Sequence, residues 1–428
     1  MKSPIHHSPE SRRSFIRKGG LALGGVGILP QIIATDLRSF IKQPAAILNQ
    51  EIQPVTVSDY LDRQERGRRL MAENHISGLY LSGGTNMLYF TGTSWWPSER
   101  VFAVILPVKG NPVWICPAFE EARAREVLQA GTDIRTWEEH ESPYALVKKA
   151  CADHGIIGRR LGIAPDVRNF EVQGLVKELP ITGTQIVNGA SVTEGCRVIK
   201  TAKEIGYLEL ANRITKLAYR EAFGKLFEGM STGDLASAVS RATEEMGVTG
   251  GGYPQFGPNS AFPHGSRQAR NLHVNDIILI DGGCSVEGFR SDVTRTIVFG
   301  KPDDRQRQVF DIVLEAQRKA QEAVRPGVTC ESIDLVARKY IEDHGFGPGY
   351  TYFAHRLGHG IGMEGHEYTY LVPGNKTLLQ PGMTFSNEPG IYIRGEFGIR
   401  VEDCFVVTEN GSKVLGGLES ESIDTPFS

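Results

Sequence analysis

Acidic side chains set inside strands that read as covered on both faces constrain this 428-residue chain more than any other feature. Asp281 directly follows Ile277-Ile278-Leu279-Ile280, and an unbroken apolar run of that kind belongs to a strand buried on both sides. The segment Arg290-Ser291-Asp292-Val293-Thr294-Arg295-Thr296 comes next. If the two arms turn near Val286 and Glu287, Asp281 lies opposite Asp292 on one face, with Cβ atoms about 5 Å apart. Glu388, between Phe385 and Ile391, and Glu402, in Ile399-Arg400-Val401-Glu402-Asp403, flank a second turn near Gly395 and repeat the arrangement. Like charges held together in an apolar interior must either take up protons or find counter-charge. Four carboxylates carry −4, which two divalent cations neutralise, so the pattern predicts a dinuclear metal centre.

A nitrogen ligand is at hand in His355-Arg356-Leu357-Gly358-His359-Gly360-Ile361-Gly362. His355 and His359 have helical spacing, but the alternating glycines oppose a helix and favour close approach of backbone to a crowded centre. His359 is therefore expected to be the ligand, and His355 a supporting or substrate contact. His366 follows within the same dozen residues, and three histidines beside two acidic hairpins read as functional. His264, in Phe262-Pro263-His264-Gly265, stands apart on spacing.

Residues 55–190 alternate helical and strand patterns, with a helix expected over 61–74 and strands over 78–81, 101–106 and 112–116, as in an α/β domain. Trp95-Trp96-Pro97 falls in a loop, where two adjacent indoles cannot both be buried easily, so one is expected at a contact surface or pocket. A new unit opens at Thr201-Ala202-Lys203-Glu204, a capping box in which hydroxyl and carboxylate satisfy each other's free backbone donors. Leu210, Ile214, Leu217 and Ala218 share one face of the helix that follows. A second helix runs over 234–246 to Gly247, and strands follow over 277–283 and 289–299. The order then recurs, with helices over 304–324 and 332–344 and strands over 384–393 and 398–407, as if one architecture were used twice.

The 47 Lys and Arg against 50 Asp and Glu give a formal charge of −3, which leaves no basic excess to hold nucleic acid. Beyond residue 50 no apolar run reaches membrane-spanning length. The first fifty residues differ. Ser11-Arg12-Arg13-Ser14-Phe15-Ile16-Arg17-Lys18 precedes an uncharged stretch from Gly19 to Ala34, the pattern of a twin-arginine export signal. A periplasmic or otherwise extracytoplasmic protein is expected, without stable membrane association after processing. Six cysteines, none in a C-x-x-C pair, leave any disulfide pairing open.

Taken together these residues resemble the pita-bread metallopeptidases, the superfamily of methionine aminopeptidase, aminopeptidase P and prolidase. Asp281 and Asp292 in D-G-G-x7-S-D-V-T-R-T, His359 in G-H-G-I-G, Glu388 in N-E-P-G-I-Y and Glu402 in G-I-R-V-E-D match that superfamily's five metal ligands in order. The resemblance implies an α+β fold: a signal and linker over 1–50, a smaller α/β creatinase-type domain over 51–194, and a catalytic domain with a pseudo-twofold repeat over 195–428. It implies hydrolysis of the bond before proline in proline-containing peptides, by an Xaa-Pro aminopeptidase first and an Xaa-Pro dipeptidase second. His264 and His366 fall on the substrate-side histidines, Glu388 on the group that moves the proton, and Arg400 on the arginine near the carboxylates. An apolar, aromatic-edged pocket for the proline ring is expected near Tyr352, Phe353 or Tyr392.

Four carboxylates and one imidazole favour two manganese ions, with cobalt or zinc as alternatives. A homodimer is the superfamily expectation. The run after His366-Glu367 lacks the proline that the proline-specific enzymes often carry two residues on, which bears on the subsites and not on the metal ligands. A creatinase-like or other amide hydrolase and a non-catalytic binding protein are the competing readings. In both of those branches ligand positions are lost, whereas all five are present here.

Overall fold

The computed structural model describes residues 53–129 and 131–427. The export-signal pattern at residues 11–34 therefore lies outside the described residues.

The first part of the chain winds a mixed six-stranded sheet from β1 (Gly78–Ser82), β2 (Ala103–Pro107), β3 (Val113–Pro117), β4 (Asp133–Trp137), β5 (Arg160–Ile163) and β6 (Gln185–Asn188), in the order β4-β3-β2-β1-β5-β6. β1, β2 and β3 pair antiparallel, while β4, β5 and β6 join parallel to their neighbours. β1, β2 and β3 are buried along their whole length, so their runs are continuously apolar and do not alternate. The expected helix is Val57–Glu73. Trp95 stacks on Phe102 with ring centroids 3.8 Å apart, and the Arg123 guanidinium lies over the Trp95 ring, 4.9 Å from its centroid. Trp96 is 85% exposed, so one indole of the pair does reach the surface.

The second part begins at the Thr201 capping box, where the Thr201 hydroxyl accepts from the Glu204 N–H and the Glu204 carboxylate accepts from the Thr201 N–H. Helices Ala202–Phe223 and Thr232–Glu245 lead into β7 (Gly250–Phe256), β8 (Ile277–Val286), β9 (Phe289–Arg290) and β10 (Val293–Val298). Helices Asp304–Ala323 and Cys330–Asp343 then lead into β11 (Gly358–Gly360), β12 (Glu367–Leu371), β13 (Thr384–Asn387), β14 (Gly390–Ile393), β15 (Phe397–Arg400), β16 (Asp403–Val407) and β17 (Ser412–Val414). The first sheet has the order β10-β8-β7 and the second β12-β11-β13-β16-β17. In each half, two helices precede a strand, and that strand pairs antiparallel with the first arm of a hairpin whose second arm lies on the far side. Shared strand order, more than residue identity, makes the two halves copies. This is the pita-bread architecture.

Turn chemistry explains the hairpins. Val286 pairs with Phe289 across Glu287 and Gly288, both with positive φ (49° and 85°), the two-residue turn whose twist matches its strands. The second hairpin turns through Arg394-Gly395-Glu396 between the paired Ile393 and Phe397. Two glycines are required for contact and not for φ: a Cβ on Gly283 would sit 2.0 Å from the Ser291 carbonyl oxygen, and one on Gly358 2.0 Å from that of Ser386. A side chain at Gly283 would push the two aspartate-bearing arms apart, and one at Gly358 would push the His359 strand away from the strand that leads to Glu388. All six cysteines are unpaired and buried. No helix of the described residues is long and apolar enough to cross a membrane.

Candidate active site

The carboxylates meet at the seam between the halves. Asp281 lies on the central strand of the first sheet and Asp292 just ahead of its outer arm; Glu388 follows the central strand of the second sheet, and Glu402 precedes its outer arm. In register Asp281 pairs with Thr294, and Asp292 falls opposite Gly283. The two aspartates are therefore diagonal neighbours on one face, not a directly opposed pair as the sequence suggested, because the turn lies one residue later than expected. In the second hairpin the register is the same on both sides of the interruption at 388–389 and 401–402, which sets Glu388 facing Glu402.

Two sets of three possible ligands have donor atoms within 4.8 Å of one another: Asp281 with Asp292 and Glu402, and His359 with Glu388 and Glu402. Glu402 belongs to both. A third set joins Asp292, His359 and His366. His359 Nε2 lies 3.2 Å from Glu388 Oε1 and 3.7 Å from Asp292 Oδ2. Its Nδ1 is 3.1 Å from the Gly360 carbonyl, which only accepts, so Nδ1 carries the proton and Nε2 faces the carboxylates.

The electrostatics fit a cation site. Burial first, then the charge of Asp281, pushes Asp292 well above the carboxylate range. Burial, then Asp292 and Glu388, does the same to Glu402. Burial also works against ionisation of Glu388, but the hydrogen bond and charge of His359, with His355 and Arg400, hold it down at about 2. His359 is raised despite its burial because Glu388 and Asp292 favour its charged form. Left to its own groups, the cluster collects protons on two carboxyls and one imidazole. Hard divalent cations satisfy the same oxygen and nitrogen donors and displace those protons.

Arg400 ties the cluster to the pocket. Its Nη2 is 2.7 Å from Asp281 Oδ2, its Nε donates to Thr294 Oγ1 at 2.9 Å, and its Nη1 donates to the Tyr392 hydroxyl and the Pro263 carbonyl, each at 3.0 Å. Tyr392 is 2.8 Å from His355 Nε2, and His355 Nδ1 is 2.8 Å from the Arg356 carbonyl. Because that carbonyl takes the Nδ1 proton, the chain of donors runs from Arg400 to Tyr392 to His355. Burial lowers His355 and so keeps it the neutral acceptor this chain needs. Burial also raises the Tyr392 phenol to about 12, so it remains a donor.

His264 lines a cavity of about 270 Å³ with Tyr253, Gln255, Leu279, Asp281 and Arg400. His366 is exposed, with its ring stacked 3.8 Å from that of His359, and burial followed by the charges of His359 and Arg356 lowers it. The ten candidate residues thus gather around one centre. Phe353 does not edge a pocket: it is fully buried, beneath His355 and the Arg338 guanidinium. Tyr392 is buried as well and meets the site through its hydroxyl, not its ring edge.

Thr294 and Ser386 were not singled out by the sequence. Thr294 Oγ1 lies 2.6 Å from Glu402 Oε2 and 3.1 Å from Asp281 Oδ1, joining carboxylates from opposite halves. Ser386 Oγ donates to Glu388 Oε1 at 3.1 Å and accepts the His359 N–H at 3.0 Å. The only available signal was that both sit two residues from a ligand on a strand, and so on its face.

Two family models match the chain: "Metallopeptidase family M24" over residues 206–409 and "Creatinase/Prolidase N-terminal domain" over residues 63–199. An Xaa-Pro dipeptidase of Lactobacillus helveticus is 35% identical over 342 residues, 78% of this chain and 91% of that one. Another from Pyrococcus furiosus is 32% identical over 369 residues, 84% and 99% of the two chains. Among solved structures, a prolidase from Thermococcus sibiricus superposes with a TM-score of 0.77 at 30% identity, covering 85% of this chain and 98% of that one.

Proposed function

The chain belongs to the M24 metallopeptidases with a creatinase/prolidase-type N-terminal domain, and on that premise we propose that it is an Xaa-Pro dipeptidase dependent on two divalent cations, manganese first. The observation that carries this reading is the convergence of four carboxylates and one imidazole as two ligand sets sharing Glu402. The sequence ranked an aminopeptidase first; the similar proteins named above are dipeptidases or prolidases and support the reverse order.

Asp281, Asp292 and Glu402 would hold one cation, and His359, Glu388 and Glu402 the other. When bound, the cations supply Lewis acidity toward the scissile carbonyl and lower the pKa of a water at neutral pH. The rest is the work of the chain's own groups. Glu388, ionised and oriented by Ser386, accepts the proton of the attacking water and passes it to the leaving imide nitrogen, which in an Xaa-Pro bond carries no hydrogen. His366, neutral near pH 7, and His264 offer N–H donors toward the oxygen that gains charge in the transition state. Arg400, Tyr392 and His355 fix the cavity wall beside Asp281.

The test is to strip the purified protein with chelator, reload it with manganese, and assay Xaa-Pro dipeptides, longer Xaa-Pro peptides, creatine and Met-Ala peptides. Turnover confined to Xaa-Pro dipeptides is expected. Cleavage of longer Xaa-Pro peptides at comparable kcat/KM would make it an aminopeptidase, and full activity after chelation would sink the metal assignment. Export through the twin-arginine pathway to the periplasm belongs to the same reading and is supported by Arg12-Arg13 and the uncharged run after them. Replacing both arginines by Lys and fractionating the cells tests it. A homodimer is part of the proposal, checked by sedimentation.

A further inference from the structure

Behind the carboxylate cluster lies a second charged layer that the proposed reaction does not use. Arg295 and Lys216 are fully buried, and Asp403 is nearly so. Arg295 Nη2 lies 2.8 Å and Lys216 Nζ 2.6 Å from the same oxygen, Asp403 Oδ1, and Gln317 Nε2 donates to the other carboxylate oxygen at 3.3 Å. Other donors of Lys216 and Arg295 end on main-chain carbonyls near the end of the described chain. Lys216 reaches Leu415 and Gly417, and Arg295 reaches Leu418 and Pro426.

Chain adjacency gives this layer its meaning. Arg295 follows Thr294 and Asp403 follows Glu402, so strand alternation sends one residue of each pair toward the cations and the other to the back. Arg295 Nη1 also donates to the carbonyls of Thr294 (3.1 Å) and Glu402 (2.8 Å), the residues whose side chains meet on the front face. The Glu402 N–H donates to the same Thr294 carbonyl at 3.1 Å. One guanidinium thus joins the backbones of the two halves at the point where their carboxylates must share cations. A buried layer with two positive groups and one negative is costly as a core element. Here it faces a cluster carrying four carboxylates.

We propose that Arg295, braced by Asp403 and Lys216, is a positioning residue that sets Glu402 across the seam, so that its loss weakens the grip on the cations more than it weakens the fold. The inference rests on the metal-dependent reading above. It deepens that reading by naming what holds the shared ligand in place.

Arg295→Lys tests it. The variant keeps the charge and the ion pair to Asp403, but one ammonium cannot also reach the carbonyls of Thr294 and Glu402. Full-length wild type, Arg295→Lys and Asp403→Asn would be stripped of metal and titrated with manganese, following free Mn²⁺ by electron paramagnetic resonance, with the melting temperature of the metal-free proteins measured in parallel. The manganese Kd is expected to rise about 10- to 100-fold in both variants, with circular dichroism unchanged. KM for an Xaa-Pro dipeptide at saturating metal is expected to stay within about threefold. Wild-type Kd values in variants that only melt earlier would overturn the inference and leave the functional reading intact. A wild type that takes up no cation would overturn both. Should Arg295→Lys fail to fold, the isosteric Asp403→Asn decides alone.

Discussion

Replacing Thr294 with valine keeps the shape of a fully buried side chain and deletes one hydroxyl. That hydroxyl accepts from Arg400 Nε at 2.9 Å, lies 2.6 Å from Glu402 Oε2 and is 3.1 Å from Asp281 Oδ1. Hydrogen bonds to charged groups contribute about 1.5–3 kcal/mol, and a neutral one about 1 kcal/mol. In the metal-free protein burial and Asp292 drive Glu402 toward its protonated form, so the variant loses one bond of each kind, about 3 kcal/mol in all. No water can replace the hydroxyl where a methyl now sits. With metal present the cost falls on affinity, because Glu402 and Asp281 lose the group that holds them at a common distance. The manganese Kd should rise about 10- to 100-fold. Thr294→Ser restores the hydroxyl without the methyl and should bind within about threefold of wild type, at some cost in packing. Measuring free Mn²⁺ during titration, and urea unfolding of the stripped proteins, separates the two effects. A valine variant that binds both cations as tightly as wild type, while serine does not, would refute the claim that this hydroxyl links the halves of the site.

Glu402→Gln should abolish binding of both cations, since Glu402 belongs to both ligand sets, whereas Asp281→Asn should lose one; metal content after dialysis distinguishes them. Metal uptake should release protons and tighten as pH rises beyond the ordinary carboxylate range, because Asp292 and Glu402, held above that range by burial and by neighbouring carboxylates, must lose protons before they can ligate. Calorimetry in buffers of different ionisation heat counts those protons, and a pH-independent affinity would contradict the assignment. Tyr392→Phe removes the hydroxyl between Arg400 and His355 and should lower kcat/KM by about tenfold without changing the metal content, as read from initial rates and elemental analysis.

Chemistry that depends on neighbours in sequence was legible without coordinates. His359 could be separated from His355 because alternating glycines ruled out the helix that would have paired them, and β11 bears this out. Thr201 and Glu204 marked the start of the catalytic helices because a capping box lies within four residues. What escaped detection depends on register and on long-range contact. Asp281 was set opposite Asp292 because a turn at Glu287-Gly288 and one at Val286-Glu287 look alike in sequence, and a single step changes every partner. Phe353 looked like a pocket residue because nothing in its neighbours shows that Arg338, fifteen residues earlier, covers it. Thr294 and Glu402 meet across 108 positions, and Lys216 meets the Leu415 carbonyl across 199; no local pattern reports either.

The division of the ligands between two copies of one architecture bears on how the protein is made. Asp281 and Asp292 leave the ribosome roughly a hundred residues before Glu388 and Glu402, so the earlier copy emerges with half a coordination sphere and its carboxylates exposed to one another. A complete ligand set has to wait until the later copy has emerged and it and the carbonyls beyond residue 414 dock against the earlier one.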